Sequence, residues 1–389
     1  MKIPELHDMA SQLLAAPSVS STQTAYDSSN LGVINLLAEW LEVLGFDIQI
    51  KPLPDQPGKA NLIAVKGQGT DGLVLSGHTD TVPCDELLWH SDPFTLTERN
   101  DRWYGLGSCD MKLFFALAIR ALADFDLKNL ERPITILATA DEESSMSGAR
   151  ALTAADLAGA GHAIIGEPTN LVPIKQHKGI MLLALDIQGH SGHSSNPALG
   201  NNVIDVLGDV IPLLNHFKDS LSQHQNPLFE VRHPTMNLGC VHGGKNPNRI
   251  CDQLRLELDM RLLPGMNNQV ILSELQQAIL PALQQRGFEA RLDLMHPPVE
   301  PFMEQDDAEL LQHLCEFTQR SPEVVSFATE APFLKAFGME TIVLGPGSID
   351  QAHQPDEYLA LDQIEPAIKL LSSSIGRYGM MASSEVKQS

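Results

Sequence analysis

Apolar residues recur three and four positions apart over residues 4–15 and again over about 29–44, where Gly45 supplies a stop, so two amphipathic helices open the chain. Short unbroken apolar runs follow at 73–75, 134–137 and 163–165. Runs of that length have no polar face to show to water and read as strands buried on both sides of a parallel sheet. Residues 111–124 and 148–155 read as the crossover helices between them, and the alternation predicts an α/β layer structure.

Near Ile180 the pattern changes. A strand over 181–187 precedes a long helix over 201–221 and a second strand over 235–241. Across 252–263 the apolar positions Leu254, Leu256, Leu258, Met260 and Leu262 alternate without a break, the mark of a sheet with one buried face. A helix over 269–285 and a strand over 289–294 complete a β-α-β-β-α-β order, the split ferredoxin-like unit. Past Pro297-Pro298 the first pattern resumes with a helix at 308–319, a strand at 341–344 running into Gly345-Pro346-Gly347, and a helix at 364–378. The expected architecture is therefore α/β: a discontinuous domain with a central, mostly parallel sheet, residues 1–179 and 295–389, interrupted by an α+β ferredoxin-like lid at 180–294. Residues 382–389 read as a frayed tail.

Composition narrows the partners. Hydrophobic residues make up 43% and charged residues 19% of 389, so a buried core is available and wholesale disorder is excluded. The 26 basic and 49 acidic residues give a net charge of -23, and no basic run relieves it. Such a surface repels phosphate backbones and anionic lipids, which argues against nucleic-acid and membrane partners. No window offers the ~18 apolar residues of a membrane span. His7, Asp8 and Gln12 interrupt the opening segment, which lacks the apolar core of a signal peptide, and the expected location is the cytoplasm. Cys84, Cys109, Cys240, Cys251 and Cys315 are odd in number and form no CxxC pair, as suits reduced thiols serving as small buried filler.

Candidate chemistry sits just after the expected strands, where open α/β sheets place their ligands. In Ser76-Gly77-His78-Thr79-Asp80 an extended backbone points His78 and Asp80 to one side, so the carboxylate can orient a metal-binding imidazole through its second N–H. Asp110 stands before an apolar helix and serves equally well as its N-cap. Asp141-Glu142-Glu143 ends a buried strand; alone it is a solvated charge run, but carboxylates crowded there repel unless a cation or proton compensates them. Glu167 follows another strand and His353 the glycine turn; singly, a bland turn residue and a surface histidine explain them. Together, two imidazoles and three carboxylates suit two divalent ions with one carboxylate bridging, and mixed N/O ligation suits Zn(II), Co(II) or Mn(II). Two dications against three carboxylates leave one unit of charge for hydroxide, so water would give up its proton near neutral pH.

The ordered set GHTDTVP, YGLGSCDMK, ATADEESSMSGAR, IIGEPT, GHSSNP, RLLPGM, TEAPF and LGPGSIDQAHQPDEY resembles the aminoacylase, carboxypeptidase and desuccinylase family of two-metal amidohydrolases over essentially the whole chain. By position, the resemblance implies that Asp110 bridges two ions, Zn or Co, with His78 and Glu167 completing one site and Glu143 and His353 the other. Glu142 falls on the general base, Asp80 on the carboxylate behind His78, and His193 on a lid histidine that stabilises the oxyanion in the partner subunit's site, with His190 a nearby competitor. Arg261 matches a carboxylate-binding arginine, with Asn248 and the Gly345 and Gly347 amides as further donors; Glu330 or Asp350 is available for a substrate ammonium. A homodimer through the lid is implied. Two departures from the family pattern are Cys109 before Asp110 and Leu113-Phe114 after Lys112.

The implied activity is hydrolysis of a small N-acyl amino acid, N2-acetyl-L-ornithine first, giving L-ornithine and acetate for arginine biosynthesis. Alternatives are N-succinyl-diaminopimelate, other N-acyl amino acids or dipeptides as substrate, and a non-catalytic dimeric binding protein that keeps the fold alone. Retention of Glu142 beside five candidate ligands speaks against the last, since a scaffold needs no base.

Overall fold

The computed structural model describes residues 2–380, so the frayed tail expected at 382–389 lies outside the described residues. The chain divides into two compact units. One comprises Met1–Lys175, Glu304–Glu323 and Thr329–Ser389; the other comprises Gln176–Met303 and Val324–Ala328.

The sheet of the first unit runs in the order Asp47–Pro52, Ala60–Lys66, Ile134–Thr139, Gly72–His78, Ala160–Pro168, Glu340–Gly345. The last four are parallel to one another, while Ala60–Lys66 pairs antiparallel with both of its neighbours. The mostly parallel expectation thus holds for the centre and not for the flank. Strands Gly72–His78 and Ile134–Thr139 are buried at every residue, which explains their unbroken apolar runs. Asp47–Pro52 is largely exposed and offers only Ile48 and Ile50 as an apolar signal, too little to announce an edge strand.

Helix Lys112–Leu122 is buried everywhere except Arg120 and packs between helices Leu6–Ala15 and Ile364–Gly379. Phe115 is fully buried there, and truncation to Ala would cost roughly 3–5 kcal/mol. The helix expected at 148–155 is a single turn, Ser147–Arg150. The Asp156 carboxylate accepts the Thr153 N–H and hydroxyl, each at 2.7 Å, and pairs with Lys51 Nζ at 2.6 Å, tying the following residues into a turn.

The second unit is a four-stranded antiparallel sheet in the order Thr235–Gly243, Gln253–Leu262, Gly179–Gln188, Glu289–Leu294, with helices Leu207–Leu221 and Asn268–Gln285. Leu254, Leu256, Leu258, Met260 and Leu262 all join one buried cluster, as their alternation requires. The first helix starts at Leu207 rather than 201. Asn201 exchanges backbone hydrogen bonds with His190 at 2.8 and 3.1 Å, and Val203 N–H donates to the Cys251 carbonyl at 3.0 Å, which ties those residues to neighbouring segments before the helix begins. The second is capped by Asn267, whose side chain accepts the Val270 N–H at 3.0 Å, a contact worth about 1 kcal/mol.

Candidate metal centre

Parallel strands finish at a common edge, so residues distant in sequence meet there. His78 ends one strand, Glu167 lies one residue from the end of its neighbour, and Asp141-Glu142-Glu143 follows the strand that ends at Thr139. His78 Nε2 lies 2.9 Å from Asp110 Oδ1 and 3.9 Å from Glu167 Oε1. His353 Nε2 lies 3.0 and 3.1 Å from the two Glu143 oxygens and 3.6 Å from Asp110 Oδ2. Asp110 therefore turns one oxygen to each imidazole. Ligand atoms of His78, Asp110 and Glu143 lie within 4.8 Å of one another and could hold a metal ion. Asp110 does not cap the helix after it: the N-cap position is Met111, with no side-chain cap.

The surroundings hold these groups in place. His78 donates its Nδ1–H to the backbone carbonyl of Asp80 at 3.0 Å, while the Asp80 carboxylate stands 3.8 Å away. That carboxylate instead accepts the Glu142 and Glu143 N–H groups at 3.2 and 3.1 Å. Asp80 thus meets the imidazole most closely through its backbone carbonyl, with its carboxylate also nearby, and its side chain fixes the turn carrying both glutamates. Asp141 (φ 63°) and His353 (φ 60°) adopt the left-handed conformation, uncommon for residues other than glycine and one that recurs at functional turns.

Glu357 was not singled out from the sequence, although it lies in the His353 motif. It is buried, and its two oxygens accept backbone N–H groups from Gly107 (3.1 Å), Cys109 (2.7 Å) and Asp110 (2.9 Å), so it positions the Asp110 loop. Gly345 and Gly347, expected as donors to substrate, already spend their amides on Thr169 Oγ1 (3.3 Å) and Gln363 Oε1 (2.6 Å). Their lack of a side chain has another reason. A Cβ on Gly345 would come within 2.1 Å of the Gly166 carbonyl beside Glu167, and one on Gly347 within 2.4 Å of Cys109 Sγ beside Asp110.

Electrostatics mark the cluster as short of positive charge. Burial, then the neighbouring Asp110 charge, raises the Glu167 pKa well above the usual range and raises Glu143 too. Burial likewise pushes Glu142 well up. His78 is desolvated, which alone would favour the neutral ring, yet the Asp110 hydrogen bond and the Glu167, Asp110 and Glu142 charges hold its pKa well above the ordinary value. The hydrogen bond to Glu143 raises His353 to about 9. Carboxyl groups raised together in this way mark a place where a bound cation would compensate their charge.

Glu330 lies in the first unit, 1% exposed, and accepts the Thr139 hydroxyl at 2.8 Å through Oε2, while its Oε1 is buried and unpartnered. Asp350 is exposed in the 3₁₀ turn Ile349–Gln351. His193, His190, Asn248 and Arg261 belong to the second unit. His193 Nδ1 is 2.8 Å from Ser195 Oγ. His190 pairs through its backbone with Asn201, and Asn248 accepts the Ser194 N–H at its carbonyl. The Arg261 guanidinium grips Asp259 through Nε and Nη2 at 2.8 and 2.9 Å.

An imidazole and carboxylate cluster fit for a metal, set at the carboxyl edge of parallel strands in an α/β unit interrupted by an antiparallel one, is the build of a metallohydrolase. The chain belongs to peptidase family M20/M25/M40, whose model matches residues 74–377, and is an enzyme. It is 45% identical over 379 residues to acetylornithine deacetylase of Photorhabdus laumondii subsp. laumondii, covering 97% of this chain and 98% of that protein. It is 44% identical, with the same coverage, to acetylornithine deacetylase of Proteus mirabilis. A tripeptidase from Staphylococcus aureus shares the fold at 18% identity, with a TM-score of 0.74 over 96% of this chain and 97% of that one. Among the described residues no helix is long and apolar enough to cross a membrane.

Proposed function

We propose that this enzyme hydrolyses the acyl amide of N2-acetyl-L-ornithine to L-ornithine and acetate, a step of arginine biosynthesis, with two divalent ions, Zn or Co, in the cluster. Relatives of that name at 45% and 44% identity support the substrate. The observation that carries the two-ion reading is Asp110, with one oxygen 2.9 Å from His78 Nε2 and the other 3.6 Å from His353 Nε2. His78 and Glu167 would hold one ion, Glu143 and His353 the other, and Asp110 both. When bound, the ions would polarise the acyl carbonyl and lower the pKa of water toward neutrality.

Glu142 is the general base: it takes the proton of the attacking water and returns it to the leaving nitrogen, so one carboxyl group serves both transfers. Its raised affinity for a proton suits that double duty, and the Asp80 carboxylate keeps its backbone in place. In a homodimer formed through the inserted unit, His193 of the partner subunit would donate to the oxyanion. Arg261 and Asn248 would take the substrate carboxylate, and the free Glu330 oxygen the ornithine side-chain ammonium. Five free cysteines suit a reducing cytoplasm.

The test is release of acetate from acetylornithine by metal-loaded protein, compared with succinyl, formyl and glutamyl analogues. Preference for the acetyl compound is expected. Faster release from another acyl group would move the substrate to a desuccinylase or general aminoacylase reading, and release from none would overturn this whole set of N-acyl substrates.

A further inference from the structure

The edge strand Thr235–Gly243 begins with its apolar residues at even positions, Met236 buried and Leu238 half-buried against the core. Unbroken alternation would turn Cys240 and His242 the same way. Instead the register slips between Leu238 and Cys240: Leu238 pairs with Leu258, then Cys240 with Glu257, Val241 with Leu256 and His242 with Arg255. The extra residue at Gly239 is a β-bulge, and it reverses the facing of all that follows. Cys240 and His242 now share the open face with Glu257, which stands directly opposite Cys240 across the ladder.

One thiol sulfur, one imidazole nitrogen and one carboxylate oxygen from these residues lie within 4.8 Å of one another. We infer that Cys240, His242 and Glu257 form a further metal site that takes a single Zn(II), with solvent completing its coordination. The donor set explains the choice of ion: a thiolate selects borderline-soft Zn(II) over Mg(II), Ca(II) or Mn(II), and three protein ligands with one open position are an ordinary zinc arrangement. Arg255 Nε holds Glu257 Oε1 at 2.8 Å, which orients the carboxylate and leaves its second oxygen to the ion. Cys240 and His242 are exposed, and His242 also borders an open groove of about 940 Å³ with Asp186, Arg255 and Arg291, so the ion has a path from solvent. On binding, the Cys240 S–H is replaced by an S–Zn bond and one proton leaves to water, with no change of oxidation state.

Cobalt(II) reports the site directly, because thiolate-to-cobalt charge transfer absorbs in the near ultraviolet while imidazole and carboxylate ligands give no such band. Titration of the full chain should produce the band, and Cys240→Ser should abolish it. Cys109→Ser, which alters the one thiol next to the buried cluster, should leave it intact. Zinc content measured on zinc-loaded protein should fall by one ion per chain in Cys240→Ser and in His242→Ala, with the hydrolytic rate unchanged. Absence of the band with cobalt in large excess, its survival in Cys240→Ser, or equal zinc content in parent and both variants would overturn the assignment.

Discussion

The two units use the same charged residue types in opposite ways. On the open face of the second, Arg255 sits between Asp186 (3.3 Å) and Glu257 (2.8 Å), Arg261 holds Asp259 (2.8 Å), and Arg291 reaches Asp293 (2.8 Å). These pairs are partly or largely open to water. At the strand edge of the first, Asp110, Glu330 and Glu357 are buried, with Glu142, Glu143 and Glu167 crowded beside them. Their partners there are imidazoles, a hydroxyl and backbone N–H groups. The net charge of -23 does not separate these cases; what does is whether each buried carboxylate has a permanent cation within reach. A protein keeps an uncompensated cluster when something mobile completes it.

Removing the ions breaks the comparison most severely. Chelation should abolish hydrolysis, and returning Zn or Co to the stripped protein should restore it and raise Tm, because an ion that binds only the folded cluster stabilises by mass action. Asp110→Asn should lose most of that metal-dependent Tm shift, since it weakens the one carboxylate that faces both imidazoles. Glu142→Gln comes next. Turnover should fall by about 10²–10⁴-fold while metal content stays at the parental value, because the variant lacks a base and no ligand. Lost metal together with lost turnover would put Glu142 among the ligands.

A third test works without ions. Burial raises the Glu330 pKa from 4.5 to about 7 in the folded chain. A carboxyl whose folded pKa exceeds its unfolded one favours folding fully below the unfolded value and loses that contribution as pH rises through the folded one. Metal-free protein should therefore lose stability between about pH 4.5 and 7 on account of Glu330, by up to about 3 kcal/mol. Glu330→Gln, neutral throughout, should flatten this loss, measured by chemical denaturation across that range. An unchanged pH slope would show that Glu330 is not the group responsible. The same substitution in the metal-loaded enzyme should raise KM for acetylornithine more than it lowers kcat, since the proposed ammonium contact is present in ground and transition states alike.

Features fixed by local burial were legible in the chain, and features fixed by distant partners were not. The alternation from Leu254 to Leu262 is itself the record of one wet and one dry face, and the unbroken run at Ile134 records two dry ones. The single turn at Ser147 depends on Asp156 meeting Lys51, and the late start at Leu207 on Asn201 meeting His190. The bulge at Gly239 is equally invisible, because Gly in a strand signals only that something irregular is permitted. At the cluster, His78, Asp110, Glu143, Glu167 and His353 announced themselves by standing after strands or in turns. At Asp80 the carbonyl and the carboxylate belong to one residue, and only the turn decides that the carbonyl stands 3.0 Å and the carboxylate 3.8 Å from the imidazole. Glu357 escaped because its partners, the Gly107 to Asp110 amides, lie some 250 positions earlier.

The smallest expected effect sharpens the comparison from its other side. Arg291 is 73% exposed and reaches Asp293 at 2.8 Å and Asp186 at 3.8 Å. Both acids are in contact with water, and Asp186 keeps Arg255 when Arg291 is removed. Arg291→Ala should therefore cost no more than about 1 kcal/mol, less at high salt, and leave metal content and turnover untouched. Denaturation at two ionic strengths checks it. A loss of several kcal/mol would mean that the open face hides a desolvated network after all, and that exposure of its pairs is a poor guide to how the two units handle charge.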